Sequence, residues 1–503
     1  MAELFLNHLL SWTIALPVLG MGVLVFLRKE ETIRRVALGC TLLDFALSLL
    51  LWLWFDPSIQ GMQFVERMAW MPTLNIQYAI GVDGISLPLV LLSTLLSPLC
   101  VLCSWRSIEH HQKAFLMLLL FIESAMLLVF STLDLFLFFM LWETTTMPMF
   151  FIIGVWGGSR RITAAIKFAL FGLTGSLLLL VGILGLYLEG GRTFDMQVLA
   201  SQHYPVKTQL WIFACLFLAF AIKTPMVPFH SWLPDAHTEA PTAGSVILAG
   251  VFLKMGGYGF VRLVLPMLPE ATSKFTPVIL WLSLLAILYG GYMALAQEDL
   301  KRLVAYSSIS HMGFVTLGLF VANHPSIQGA LLQMLNHGIT TGAMFLVVGQ
   351  LYDRTHSRLI EDYGGLHQLM PRFTLLLSIF AVASFGLPGT NNFIGEFLVL
   401  VGTAQRSLLM VLLAMGGILL GAAYLLWMLQ RVALGPVPRS GTPFLPDLTP
   451  RELVTVIPLA VLVFWIGLYP RPFLELIQPG VATLLRALGP SSPALGAPPL
   501  LPP

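Results

Sequence analysis

Charge is the scarcest commodity in this chain. Only 10% of its 503 residues are Asp, Glu, Lys or Arg, against roughly 25% in a soluble domain. Acids and bases nearly balance, 25 against 27, and no basic block points to nucleic acid. Cysteine is also scarce. Its four copies, Cys40, Cys100, Cys103 and Cys215, all lie in apolar runs, so they read as helix-packing residues. Cys100 and Cys103 form a C-x-x-C, two ligands short of a structural zinc or an iron–sulfur cluster. No G-x-G-x-x-G opens a helix after a strand, and no H-E-x-x-H occurs. Dinucleotide binding and zinc hydrolysis therefore lack their motifs. At the N-terminus there is neither a basic segment nor a small-residue cleavage site, so residues 9–27 read as a first span and not a signal.

What is abundant is oil. Hydrophobic residues make up 57% of the chain and the mean hydropathy is +0.85, which implies an all-α polytopic membrane protein. A span needs about 20 mostly apolar residues. Fourteen such stretches are expected, near 9–27, 36–55, 85–105, 114–131, 135–156, 168–188, 209–228, 244–265, 277–297, 303–322, 328–351, 373–404, 408–430 and 452–475. Of the Lys and Arg residues, seventeen fall in loops after odd-numbered spans, eight on the other side, counting Arg262 and Arg471 at the ends of their spans and Arg486 in the C-terminal segment, and two, Lys223 and Lys254, deep inside spans. The positive-inside rule then places odd loops in the cytoplasm and both termini outside. The segment 476–503, ending "SSPALGAPPLLPP", reads as a Pro-rich disordered tail.

Two spans are interrupted. The seventh breaks at "KTPMVPFH" and the twelfth at "FGLPGTNN". Such breaks at membrane depth must be buried in protein or line a wet cavity. They lie five spans apart, so equivalent helices enter from opposite sides, as in the inverted halves of transporters.

Ionisable groups inside a bilayer cost about 2.5–3.5 kcal/mol each on the insertion scale. Four require a reason: Glu143 in "FMLWETTTMPMF", Lys223 at the seventh break, Lys254 in "LAGVFLKMGGYG", and Glu396 in "NNFIGEF". Acid and base that only hold helices together are the plainer alternative, but a buried pair is a poor stabiliser. Two acids and two lysines on different helices, two of them at breaks, fit a proton relay. Burial disfavours either charged form and an opposite charge restores it, so Glu143 governs whether Lys223 keeps its proton or passes it towards Lys254. His311 in "AYSSISHMGF" and His337 in "QMLNHGITTGA" serve equally as relay or as packing residues. In "HSWLPDAHTEAPT", His230, Asp235, His237 and Glu239 look metal-like, but the prolines deny helical ligand spacing, and a structured loop closing a channel is expected. Glu123 and Asp134 stand evenly between relay and structural roles.

"LWETTTMP", "KTPMVPFHSWLPDAHTEAPTAGSVILAGVFLKMGGYG", "QEDLKRLVAYSSISHMGF" and "LPGTNNFIGEF" resemble the antiporter-like membrane subunits of proton-pumping NADH:quinone oxidoreductase, respiratory complex I. The likeness runs at least from the third span to the thirteenth. It is nearest the M-type branch, the counterpart of mitochondrial subunit 4, because Glu396 stands where the L and N branches carry lysine and no long lateral helix follows.

The resemblance implies three N-terminal spans (1–113), two inverted five-helix repeats (114–265 and 277–430), a final span (452–475) and the tail. It implies Glu143–Lys223 as a coupled pair, Lys254 as central relay, Glu396 nearest the exit, and His311 and His337 as secondary relay groups. The activity implied is proton translocation as a non-redox subunit. The chain itself would hold no cofactor and no metal. NADH, FMN and iron–sulfur clusters would sit in partner subunits, quinone elsewhere in the complex, and L-like and N-like chains alongside, in a bacterial inner membrane with periplasmic termini. The alternatives are a subunit of a multi-subunit cation/proton antiporter, or of a ferredoxin- or hydrogenase-linked relative.

Overall fold

The computed structural model describes residues 8–436 and 445–488. Among these, thirteen helices are long and apolar enough to cross a membrane. Each corresponds to one expected span, with shifted ends at several, and the twelfth expected span is two 14-residue helices, Pro371–Ser384 and Asn391–Ala404. Each half is too short to span alone. The connection needs left-handed backbone at Gly386 (φ 78°) and Gly389 (φ 93°), which glycine adopts without a Cβ penalty.

The seventh position is also broken. Val206–Lys223 stops at the lysine and a short helix, Trp232–Glu239, follows. The freed carbonyl of Ile222 accepts a bond from the Trp232 indole at 2.9 Å, so the break is satisfied within protein. Residues 232–239 thus form a helix where a loop was expected, and Pro234 is tolerated in its first turn.

Three parts differ from the sequence reading. A two-stranded antiparallel hairpin, β1 (Gln63–Met71) and β2 (Ile76–Val82), fills the loop after the second span. It packs on the start of the Leu135–Trp156 helix, where the Gln77 amide donates to Asp134. The last span is Pro450–Leu468, not 452–475, because the chain turns at Tyr469–Pro470. Most of the remainder is not tail: Arg471–Leu488 is a helix with Phe473, Leu476, Ile477, Gly480, Val481, Leu484 and Leu488 buried on one face. That i, i+3, i+4 spacing marks an amphipathic helix. The rest of the expected tail, 489–503, lies outside the described residues.

Burial is uneven among the spans. The helices Leu300–Val321 and His324–Thr355 are wholly enclosed along their most apolar windows, and Thr242–Met267 is nearly so. Helices Leu9–Phe26, Glu30–Trp54 and Leu408–Leu434 turn most of their surface outward. The three enclosed helices carry Lys254, His311 and His337.

At one polar end, Asp235 pairs with Lys167 at 2.7 Å and Arg358 with Asp299 at 3.3 Å, and Arg358 also reaches Glu239 of the short helix Trp232–Glu239 at 3.8 Å. At the other end Arg262 forks onto Asp83. Burial alone would raise the Asp83 carboxyl, but the guanidinium and the amides of Ser86 and Ile85 hold it below the usual carboxylate range.

Candidate functional site

Lys254 is fully buried mid-way along Thr242–Met267. That helix is widened by one residue per turn at Leu248–Phe252 and again at Phe260–Val264, π segments of the kind that collect at functional sites. Lys254 Nζ bonds the carbonyl of Ala249 and lies 2.6 Å from Nδ1 of His337. With the amine donating, Nδ1 accepts and the His337 proton rests on Nε2, which has no partner among the described residues although it is buried. A buried polar atom of that kind is a place for water or for transfer.

The next group is within reach. The rings of His337 and His311 lie 5.7 Å apart between centroids. His311 Nδ1 is 2.8 Å from Glu396 Oε1 and its Nε2 is 3.3 Å from Ser384 Oγ. Gln333 donates to the same Glu396 oxygen at 3.0 Å. Lys254, His337, His311 and Glu396 therefore form one polar row through four helical segments, hydrogen-bonded at each end and joined in the middle by the contact of the two imidazole rings.

Lys223 and Glu143 stand differently. Lys223, 4% exposed, donates to the Thr146 hydroxyl at 3.4 Å, and Thr146 in turn donates to the Trp142 carbonyl. Its ammonium sits over the rings of Phe252 (4.2 Å) and Trp142 (5.1 Å), a cation–π seat. Among the described residues no ion pair within 4.0 Å joins it to Glu143, whose charge acts on it from farther off. Glu143 is half-buried, and its Oε2 is unpartnered. The helices that bear the two lysines meet at a small-residue contact: a methyl at Gly256 would fall 2.8 Å from the Thr224 amide nitrogen and 2.9 Å from the Phe220 carbonyl oxygen.

The metal-like stretch does not converge. Asp235 turns to Lys167, Glu239 to Arg160 and Arg358, and His237 stacks on Phe345 at 4.7 Å. Among the described residues no group of three or more His, Cys, Asp or Glu is placed to hold a metal. Asp134 caps Leu135–Trp156 through the amides of Phe136 and Leu137, a structural role.

Sequence reasoning missed Gln333, Ser384 and the Asn336–Asn391 pair. Asn336 and Asn391 exchange side-chain-to-carbonyl bonds of 2.7 and 3.2 Å, and Thr340 donates to Asn391 at 3.0 Å. These bonds anchor the twelfth-span break to the helix of His337. The signal was present in the polar run Asn336–His337 with Thr340 and Thr341 inside an otherwise apolar helix.

Known proteins are similar to this chain in sequence and in fold. Residues 132–421 match the family model described as "NADH:quinone oxidoreductase/Mrp antiporter, TM", and residues 12–130 match "NADH-ubiquinone oxidoreductase chain 4, amino terminus". NADH-ubiquinone oxidoreductase chain 4 of Arabidopsis thaliana is 46% identical over 480 residues, 95% of this chain and 97% of the relative. NADH-quinone oxidoreductase subunit M of Rhodobacter capsulatus is 43% identical over 500 residues, 96% and 97%. A chain of respiratory complex I from Thermus thermophilus superposes with a TM-score of 0.88 at 32% identity, covering 95% of this chain and 100% of that one. A chain of the Mrp complex from a Dietzia species shares the fold, with a TM-score of 0.86 at 20% identity over 98% and 100%.

Proposed function

Because this chain belongs to the family of NADH-ubiquinone oxidoreductase chain 4 and its bacterial counterpart subunit M, we propose that it carries protons through the membrane along its buried polar row while redox chemistry proceeds in other subunits. The observation that carries this reading is the polar row Lys254–His337–His311–Glu396. Each neighbour in it can take up or release a proton, and histidine does so near neutral pH.

In this reading Glu143 and Lys223 are the control pair. When Glu143 is ionised, Lys223 is held charged in its aromatic seat. When Glu143 is neutralised, Lys223 releases its proton towards Lys254 across the Gly256 contact. Lys254 hands on to Nδ1 of His337, and the proton leaves Nε2 for His311 and then Glu396. Water fills the unpartnered positions. Displacing one charge against 100 mV costs about 2.3 kcal/mol, a shift of under two pKa units, so repositioning one neighbouring charge suffices. The first half, 114–265, contributes Lys254 to this row and holds Lys223 at its own break, while the second, 277–430, contributes His311, His337 and, just after its break, Glu396.

The wider setting follows from the family. Electron donor oxidation, flavin, iron–sulfur clusters and quinone reduction belong to partner subunits, with L-like and N-like chains as neighbours and no redox centre in this one. The loops after odd spans face the cytoplasm of a bacterial cell and the termini face the periplasm. An exchanger subunit is the competing reading, supported by the shared fold of the Mrp chain. It is disfavoured by amines lining the row, where a sodium path would want clustered oxygen ligands. Tagging the chain and purifying its assembly separates the two. Flavin, iron–sulfur signals and NADH:quinone activity are expected to co-purify, and an assembly lacking all three would overturn the dehydrogenase reading.

A further inference from the structure

One pair of acids takes no part in the row. Asp44, on helix Glu30–Trp54, and Glu123, on helix Gln112–Ser131, are 0% and 2% exposed and face one another within hydrogen-bonding reach. All four carboxyl oxygens lack a donor from any described residue. Among the described residues no Lys, Arg or His acts on either acid, Lys254 included. Apart from each other, the side chains that act on the pair are neutral. Cys40 lies one turn from Asp44 and bonds the Leu16 carbonyl. Ser97 acts on Glu123 but is itself bonded to the Ser93 carbonyl, and Cys100 lies beyond. Ser124 is committed to the Ile14 carbonyl at 2.6 Å. The described part of helix Leu9–Phe26 contains no titratable side chain.

Two carboxylates side by side in hydrocarbon have neither water nor counter-charge to offset their desolvation, and like charges at a shared site do not ionise together. A carboxylic acid, however, donates as well as accepts. Each side chain has one partner able to complete it, and that partner is the other, provided a proton lies between them.

We propose that Asp44 and Glu123 form a proton-holding carboxyl pair inside the membrane, on the flank built by the first four spans and separate from the Lys254–Glu396 row. The proton bonds covalently to one carboxyl and is shared by hydrogen bond with the other, so no co-reactant is required. The pair locks helix Glu30–Trp54 to helix Gln112–Ser131 by this proton alone. This inference concerns a different group of residues and stands apart from the relay.

The test is infrared difference spectroscopy on the intact purified complex, wild type minus variant, in H2O and D2O. Asp44→Asn and Glu123→Gln keep shape and supply an amide donor to the surviving carboxylate. Each is expected to lose the same deuterium-sensitive carbonyl band of a protonated acid, and the double variant to lose no more than either alone. The amide–amide pair of the double variant keeps the bond without charge, so it is expected to assemble even if a single variant does not. An unchanged protonated-acid region in the double variant would mean that both acids are ionised in the wild type, with a cation such as sodium between them, and would overturn the proposal.

Discussion

The amine of Lys254 and Nδ1 of His337 lie 2.6 Å apart in a region with no exposed surface. A lysine and a histidine this close cannot both be cationic at tolerable cost, because like charges within a few ångströms disfavour each other's charged form. One proton between them is the stable load. Replacing His337 with Phe is expected to keep the ring volume and the assembly while cutting redox-driven pumping on the order of a hundredfold, the lower end of what a positioned proton carrier contributes. Pumping by this variant within twofold of wild type would assign His337 to packing.

Glu396 is held by two donors on one oxygen, His311 and Gln333. A lysine there, as the related L and N branches carry, presents a donor to donors. Glu396→Lys is therefore expected to lose pumping as fully as Glu396→Ala, and Glu396→Asp to retain part. Restoring pumping in Glu396→Lys by adding Gln333→Glu would confirm that the donor arrangement is what excludes lysine. If Glu396→Lys pumps well unaided, any protonatable group suffices at this position.

Gly256 sets the approach of the helix bearing Lys254 to the end of the helix bearing Lys223. Its Cβ position is already occupied by Thr224 and Phe220 backbone. Gly256→Ala should push the two amines apart and lower pumping with little change in the amount of complex assembled, an overpacking effect costing about 1–3 kcal/mol. Paired measurements of assembly on native gels and of proton uptake in vesicles separate this from simple unfolding.

Far from the row, Asp83 and Arg262 join the start of the third span to the eighth. The depressed Asp83 carboxyl contributes stability that is fully present above its unfolded value of about 3.9 and is lost as pH falls through its lower folded value. Asp83→Asn leaves Arg262 buried without its counter-charge, at a cost of about 3–5 kcal/mol. Thermal unfolding followed against pH should show the variant less stable at neutrality and the gap narrowing in acid. A constant gap would place the effect elsewhere.

Span positions were legible in the sequence because an apolar run of fixed length has few alternatives in a bilayer, and Pro and Gly marked both breaks. The four charged groups inside the spans were legible because each breaks such a run. Other features depend on contacts distant in sequence. The separation of Glu143 from Lys223 was hidden because spacing along a chain does not say whether two helices bring their side chains into contact. Gln333 and Ser384 became visible only when the twelfth-span break folded against His311. The hairpin at 63–82 and the helix Arg471–Leu488 escaped because neither is a long apolar run, so hydropathy gives no signal for them. The second shows itself in its one-sided burial, Leu476 and Ile477 lying against Gly84 and Gly480 against Ile85.

The most direct test is proton translocation by the reconstituted complex carrying Lys254→Met, measured as protons taken up per quinone reduced. The side chain keeps its length and loses its proton. If protons travel the row, uptake falls to background while the complex still assembles and NADH oxidation by its hydrophilic subunits persists. A wild-type ratio of protons to quinone in this variant would mean that protons cross elsewhere, and the role given to the row would be wrong.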